Sequence, residues 1–183
     1  YVLVVDGIGA EVVPAMMHQF TFDHVFFTGS IPTGKAIYKM AAERLVPVTL
    51  ELGGKSPCVV ESDANVKVAA RRIAVTKFSN AGQMCVAPDY VLVHETKKQQ
   101  LVEELKKCIL QFYSDAPADN YNFGKIINEK QFDRIASYLN NGTILHGGRT
   151  NKEQLFIEPT LMEDVSTDAP VMQDEIFGPV LPI

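Results

Sequence analysis

The chain has 183 residues, 46% of them hydrophobic and 21% charged, with a formal net charge of −5. That composition is ordinary for a soluble globular protein. No apolar run approaches the ~18 residues that a membrane span needs, and the acidic balance speaks against nucleic acid as a partner. Cys58, Cys85 and Cys108 are odd in number and lack a CxxC spacing, so a reducing, cytoplasmic setting is expected rather than a disulfide framework. His18, His24, His94 and His146 lie far apart, and no metal site is expected.

The predicted elements alternate. Tyr1-Val-Leu-Val-Val5 reads as a buried strand, residues 10–19 as a short helix with Pro14 in its first turn, and residues 23–28 as a second strand. Gly29-Ser-Ile-Pro-Thr-Gly-Lys35 is a glycine turn that opens a helix over 33–44, and residues 46–51 form a strand that stops at Gly53-Gly54. The second stretch is read as strand 57–61, a helix capped near Ser62–Asn65 and running to Phe78, strand 89–94 and helix 96–112. On that last helix Leu101, Leu105, Cys108, Ile109 and Phe112 share a face. Residues 115–124 are expected as loop, 128–140 as helix, 143–146 and 155–163 as strands, and 170–183 as loop plus strand. Strand, turn, helix, strand is the order of an α/β fold. The chain begins without methionine and ends at Pro179-Val-Leu-Pro-Ile183, both inside apolar sequence, so it reads as a piece of a longer protein.

Four places carry chemical possibilities. Cys85 sits in Asn80-Ala-Gly-Gln-Met-Cys85-Val-Ala-Pro88, where a helix pattern breaks and a strand has not begun. A thiol there can be exposed and can lie near amides that stabilise a thiolate, whereas Cys58 and Cys108 lie in apolar patterns. Glu51 ends an otherwise apolar strand before a glycine pair. It suits a desolvated general base, but taken alone it reads first as a strand-end carboxylate paired with Lys55 or capping a turn. The Gly29–Gly34 turn opens a helix that favours an anion, but Pro32 gives no N–H and a plain strand–helix turn fits as well. Gln173-Asp-Glu175-Ile-Phe177-Gly-Pro179 offers either a ribose-binding carboxylate with a ring partner, or a solvated turn with a core phenylalanine.

Phe27-Thr-Gly-Ser30, Glu51-Leu-Gly-Gly-Lys-Ser-Pro57, Asn80-Ala-Gly-Gln-Met-Cys85 and Glu175-Ile-Phe-Gly-Pro-Val180 together resemble the aldehyde dehydrogenase superfamily, in its order and at its spacing. The short interval from Cys85 to Glu175 is most similar to the class 3 branch. The resemblance implies residues 1–49 as the trailing part of a Rossmann-like NAD(P)-binding domain and 50–183 as most of an α/β catalytic domain, with the site in the cleft between them. It implies Cys85 as nucleophile and Glu51 as general base. Gly29, Ser30 and Gly34 would line the cofactor phosphates, Glu175 would hold the nicotinamide ribose, and Phe177 would pack by the ring. The implied reaction is oxidation of an aldehyde, medium-chain aliphatic or aromatic, to an acid with NAD or NADP, in an intact enzyme that is a homodimer. The family's asparagine oxyanion donor, its adenosine-gripping residues and its C-terminal tunnel segment do not appear, so the isolated piece is expected to be inactive. A coenzyme A-acylating relative and a non-catalytic piece that keeps the fold are the alternatives.

Overall fold

A computed structural model describes all residues, Tyr1–Ile183. They divide into two compact units, Tyr1–Gly53 and Gly54–Ile183.

The first unit contains α1 (Gly9–Gln19), β1 (Val25–Gly29), α2 (Ile31–Ala42) and β2 (Val48–Leu52). β1 and β2 are parallel, in register from Val25 against Val48 to Gly29 against Leu52. Parallel neighbours need a crossover, and α2 supplies it. Ser30 caps α2, its Oγ accepting from the Thr33 amide, and Pro32 falls in the first turn, where no intrahelical amide bond is lost. The core is small: Met17, Ala41 and Val46, with Val13, Phe22, Val25, Met40 and Val48 packed around them.

Two expectations fail in this unit. Residues 1–5 form no strand, and Tyr1, Val2, Leu3 and Val4 are exposed. An apolar run becomes a strand only where a neighbour takes its backbone hydrogen bonds, and no strand pairs with this one. Pro14 is not in a first turn either, because α1 begins at Gly9 and places it in the second. There the missing N–H removes a bond to the Ala10 carbonyl.

The second unit begins with β3 (Pro57–Val60), α3 (Val66–Phe78) and β4 (Tyr90–Val93), again a parallel pair joined by a helix. Asn65 caps α3 through its Oδ1 on the Val68 amide. α4 (Glu95–Tyr113) packs on α3 and buries Leu101, Leu105 and Ile109 in a core shared with Ala70, Ile73, Ala74 and Phe78. α5 (Glu129–Ser137) follows. Then come β5 (Thr143–His146), the short antiparallel pair β6 (Thr150–Asn151) and β7 (Phe156–Ile157), and β8 (Thr160–Glu163). The chain closes with α6 (Pro170–Gln173) and β9 (Val180–Pro182). β8 is the centre of a three-stranded sheet, antiparallel to β5 and parallel to β9.

The expected single strand over 155–163 is thus two, interrupted at Pro159, which cannot donate to a ladder. The expected helix over 128–140 ends at Ser137 and continues only as a 3₁₀ turn, Tyr138–Asn140. The stretch expected as loop and strand at 170–183 also holds the one-turn helix α6. The architecture is mixed α/β.

Candidate active site

Cys85 is exposed and unbridged. It lies in the turn Met84–Ala87, closed by the Ala87 amide on the Met84 carbonyl at 3.1 Å, between the end of α3 and the start of β4. What precedes it is unusual backbone. Asn80, Ala81 and Gly82 all have left-handed φ, at 50°, 52° and 74°. Two of the three are not glycine, and such strain persists only where the surroundings impose it. Here they do. The Gln83 amide donates to the carbonyls of Asn80 (3.0 Å) and Lys125 (2.9 Å) and accepts from the Ile127 amide (3.0 Å). Asn80 Nδ2 returns a bond to the Gln83 carbonyl. Gly82 meets the backbone of Gly178 so closely that a Cβ would stand 2.3 Å from the Gly178 oxygen. The nucleophile candidate therefore sits on a clamped turn and not on a free loop.

The other two thiols differ. Cys58 on β3 and Cys108 on α4 are half-buried, and burial pushes both thiols up. For Cys108 the nearby Glu104 charge adds to the effect and Arg71 opposes it. They are poor thiolates, as small core residues generally are.

The segment facing the turn carries the second pair of candidates. Glu175 is half-buried, and burial, with the Asp89 charge added, pushes its carboxyl up; the Gly54 amide, Arg134 and Lys77 pull the other way. Phe177 is exposed and holds a left-handed φ of 46°, so its ring is presented by strained backbone. Arg134 fastens this segment through bonds to the carbonyls of Glu175 (3.3 Å) and Ile176 (2.8 Å). The Ile176 amide donates to Asp89 Oδ1 at 3.1 Å. Lys55 donates to the carbonyls of Val171 (2.6 Å) and Asp174 (2.9 Å) and stands 3.5 Å from Asp89 Oδ2.

In the first unit, Gly34 is buried against β2, where a Cβ would stand 2.7 Å from Leu52 Cδ2, so glycine is what lets helix and strand approach. Gly29 is covered by the Phe27 ring, and Ser30 is exposed at the mouth of α2. At this helix start the Thr33 amide is taken by Ser30 Oγ, and Pro32 has no N–H. Glu51 is on β2 opposite Thr28. Its side chain is exposed, which corrects the expected desolvation against apolar packing: along β2 it is the one exposed position, while Val48, Thr49, Leu50 and Leu52 are half-buried.

Sequence reasoning passed over Lys77, Asp89, Gln83 and Arg134. Lys77 had one signal. It continues the helical stripe of Val66, Ala70, Ile73 and Ala74, so a cation was due on the buried face of α3. The other three had none, since their partners lie far along the chain.

Residues 1–183 match the aldehyde dehydrogenase family. The 4,4′-diaponeurosporen-aldehyde dehydrogenase of Staphylococcus aureus is 48% identical over 100% of this chain and 40% of its own length. The dimeric NADP-preferring aldehyde dehydrogenase of Rattus norvegicus is 46% identical over 99% of this chain and 40% of its own. A solved structure described as the substrate-bound state of Staphylococcus aureus AldH superposes with a TM-score of 0.91 at 48% identity, covering 96% of this chain and 38% of that one. The chain thus spans about 40% of the length of the curated relatives it matches.

Proposed function

The chain belongs to the aldehyde dehydrogenase family, and on that footing we propose that it supplies the nucleophile, the base and part of the cofactor site for oxidising an aldehyde to a carboxylic acid. The observation that carries this reading is Cys85: an exposed thiol on a turn clamped by Gln83 and Gly82, in a chain whose other two thiols are half-buried.

An aldehyde has no leaving group, so its carbon must first become tetrahedral and electron-rich. The Cys85 thiolate adds to the carbonyl carbon and gives a thiohemiacetal. The Cys85 backbone amide faces the oxygen on which charge develops, and the clamped turn keeps that amide in place before the reaction begins. A bound NAD or NADP supplies the hydride acceptor. Glu175 would accept hydroxyl hydrogens of the nicotinamide ribose, Phe177 would pack by the ring, and Gly29, Ser30 and Gly34 would line the phosphates. After oxidation the acyl group remains on Cys85 as a thioester. Glu51 removes a proton from water, hydroxide attacks the acyl carbon, and the Cys85–carbon bond breaks to release the acid and the thiolate. An exposed carboxylate is accessible to that water.

Residues 1–49 act as the trailing part of the cofactor domain and 50–183 as the catalytic domain. The substrate class is medium-chain aliphatic or aromatic aldehydes, as in the class 3 branch, and the intact enzyme is a homodimer, a reading supported by the name of the rat relative, which calls that protein dimeric.

Substitution of the three cysteines tests the assignment, in an enzyme of the relatives' full length carrying these residues. Cys85→Ala should abolish aldehyde-dependent NAD(P)H formation, whereas Cys58→Ala and Cys108→Ala should retain turnover and lose only stability. Turnover retained in Cys85→Ala rules the thiol out as nucleophile.

A further inference from the structure

Glu175 lies between α6 and β9 and belongs to neither, so no helix or ladder orients it. Charged side chains hold its backbone instead. Lys55, just before β3, has only 21% of its side-chain surface exposed. Its Nζ donates to the Val171 carbonyl at 2.6 Å and to the Asp174 carbonyl at 2.9 Å, and stands 3.5 Å from Asp89 Oδ2. Asp89 is itself buried, and its Oδ1 accepts from the Ile176 amide at 3.1 Å. A one-turn helix such as α6 leaves its last carbonyls without partners of its own, and the Val171 oxygen is one that Lys55 takes. The Asp174 carbonyl belongs to the peptide that enters Glu175, and the Ile176 amide to the peptide that leaves it. Lys55 fixes the first directly and braces the second through Asp89. A residue has only two soft backbone dihedrals, so fixing both flanking peptide planes fixes the direction of the Glu175 Cα–Cβ bond.

We infer that Lys55 is a positioning residue for cofactor binding: it holds the backbone on both sides of Glu175 and so aims that carboxylate at the nicotinamide ribose. The inference rests on the ribose role proposed for Glu175. A solvated lysine gains little from an exposed pair and keeps its rotamer freedom. Lys55 gives up that freedom and most of its hydration for two carbonyls and one buried carboxylate. The segment it holds is not one that local preference would shape, since Phe177, two positions on, has a left-handed φ of 46°. Without Lys55 the Asp174 carbonyl loses its bond to Nζ, and Asp89 loses the cation that stands 3.5 Å from Oδ2. Glu175 then samples more directions, and the apparent Kd for a ligand that needs one of them rises as the competent fraction falls.

The test is calorimetric titration of the full-length enzyme carrying this chain with ADP-ribose and with ADP, the 2′-phosphorylated counterparts being run in parallel. ADP-ribose carries the ribose that Glu175 would hold, and ADP lacks it. Cys85→Ala is the background, because the free anomeric carbon of ADP-ribose can add a thiol. Lys55→Met should weaken ADP-ribose about fivefold or more, the lower end of what coupled sites show, and leave ADP nearly unchanged. Glu175→Gln should show the same selective loss. The double variant should be no weaker than Glu175→Gln alone, since both changes act through one carboxylate. If Lys55→Met weakens ADP as much as ADP-ribose, or keeps ADP-ribose where Glu175→Gln loses it, Lys55 does not position Glu175. If Glu175→Gln leaves ADP-ribose binding unchanged, the ribose role itself is wrong and the inference falls with its premise. Should Lys55→Met fail to fold, Lys55→Gln, which keeps a donor but neither the charge nor the reach, decides by the same two ligands.

Discussion

A buried ammonium without a hydrogen-bond partner works against folding, and Lys77 carries that cost as a pKa lowered from 10.5 to about 8. Burial is the main cause. Asp89 opposes it, Lys55 adds to the lowering, and Glu175 opposes it. The folded value lies below the unfolded one, so between about 8 and 10.5 the unfolded chain binds more protons and stability rises with pH. Below that window the full penalty applies, on the order of 3 kcal/mol at about 1.4 kcal/mol per pKa unit. Lys77→Met should therefore raise the urea midpoint at pH 7 and remove much of the gain between pH 8 and pH 10.5. A lower midpoint at pH 7 would contradict the cost assigned to the buried ammonium. At this scale the sequence was uneven. Cys85 stood out because its turn breaks a helix pattern, and the structure exposes it. Glu51 was equally conspicuous, yet its side chain is exposed where burial was expected, because a strand-end residue need not follow its apolar neighbours. The Gln83 clamp was invisible, since its partners Lys125 and Ile127 lie more than forty positions away.

Between α3 and β4, the turn Asn80–Gly82 is the strained part on which the Cys85 position depends. Gly82 has a left-handed φ of 74°, and a Cβ there would overlap both the Gly178 and Lys77 carbonyls. Neither contact is a flexible side chain, so Gly82→Ala must push backbone apart. We expect a loss of at least about 2 kcal/mol in stability. Activity should fall about 10²-fold or more, the effect of a displacement near 1 Å at a reacting group. Urea unfolding and kcat/KM for the same variant check both; near-native activity would mean that the turn does not position the thiol. Helices and strands themselves were legible from periodicity: α2, α3, α4, β3 and β4 fall within a few residues of the reading. Failures were local and have local causes. Tyr1–Val5 lacks a paired strand, Pro14 lies deeper in α1 than expected, and Pro159 splits the ladder into β7 and β8.

Across the whole molecule the two units differ in how much core they own. Tyr1–Gly53 rests on four buried apolar side chains, Met17, Ile37, Ala41 and Val46, and a two-stranded sheet, and leaves Phe26, Ile31 and Tyr38 exposed. Gly54–Ile183 has a contiguous core from Val60 to Leu181. Amide exchange on this chain should accordingly show β1 and β2 opening well before β4 and β8, since local stability follows buried apolar contact; equal protection in both units would contradict that. The α/β organisation was readable from the alternation of elements. The division of labour between the units is a functional proposal, and it stands on Cys85 and Glu51 acting in succession on one acyl group. The most direct measurement is therefore mass spectrometry of the Glu51→Gln enzyme at the relatives' full length, acid-quenched after mixing with aldehyde and cofactor. The account predicts a burst of reduced cofactor and an acyl adduct confined to the peptide containing Cys85, which persists because no base hydrolyses it. No adduct, or an adduct on Cys58 or Cys108, would contradict it.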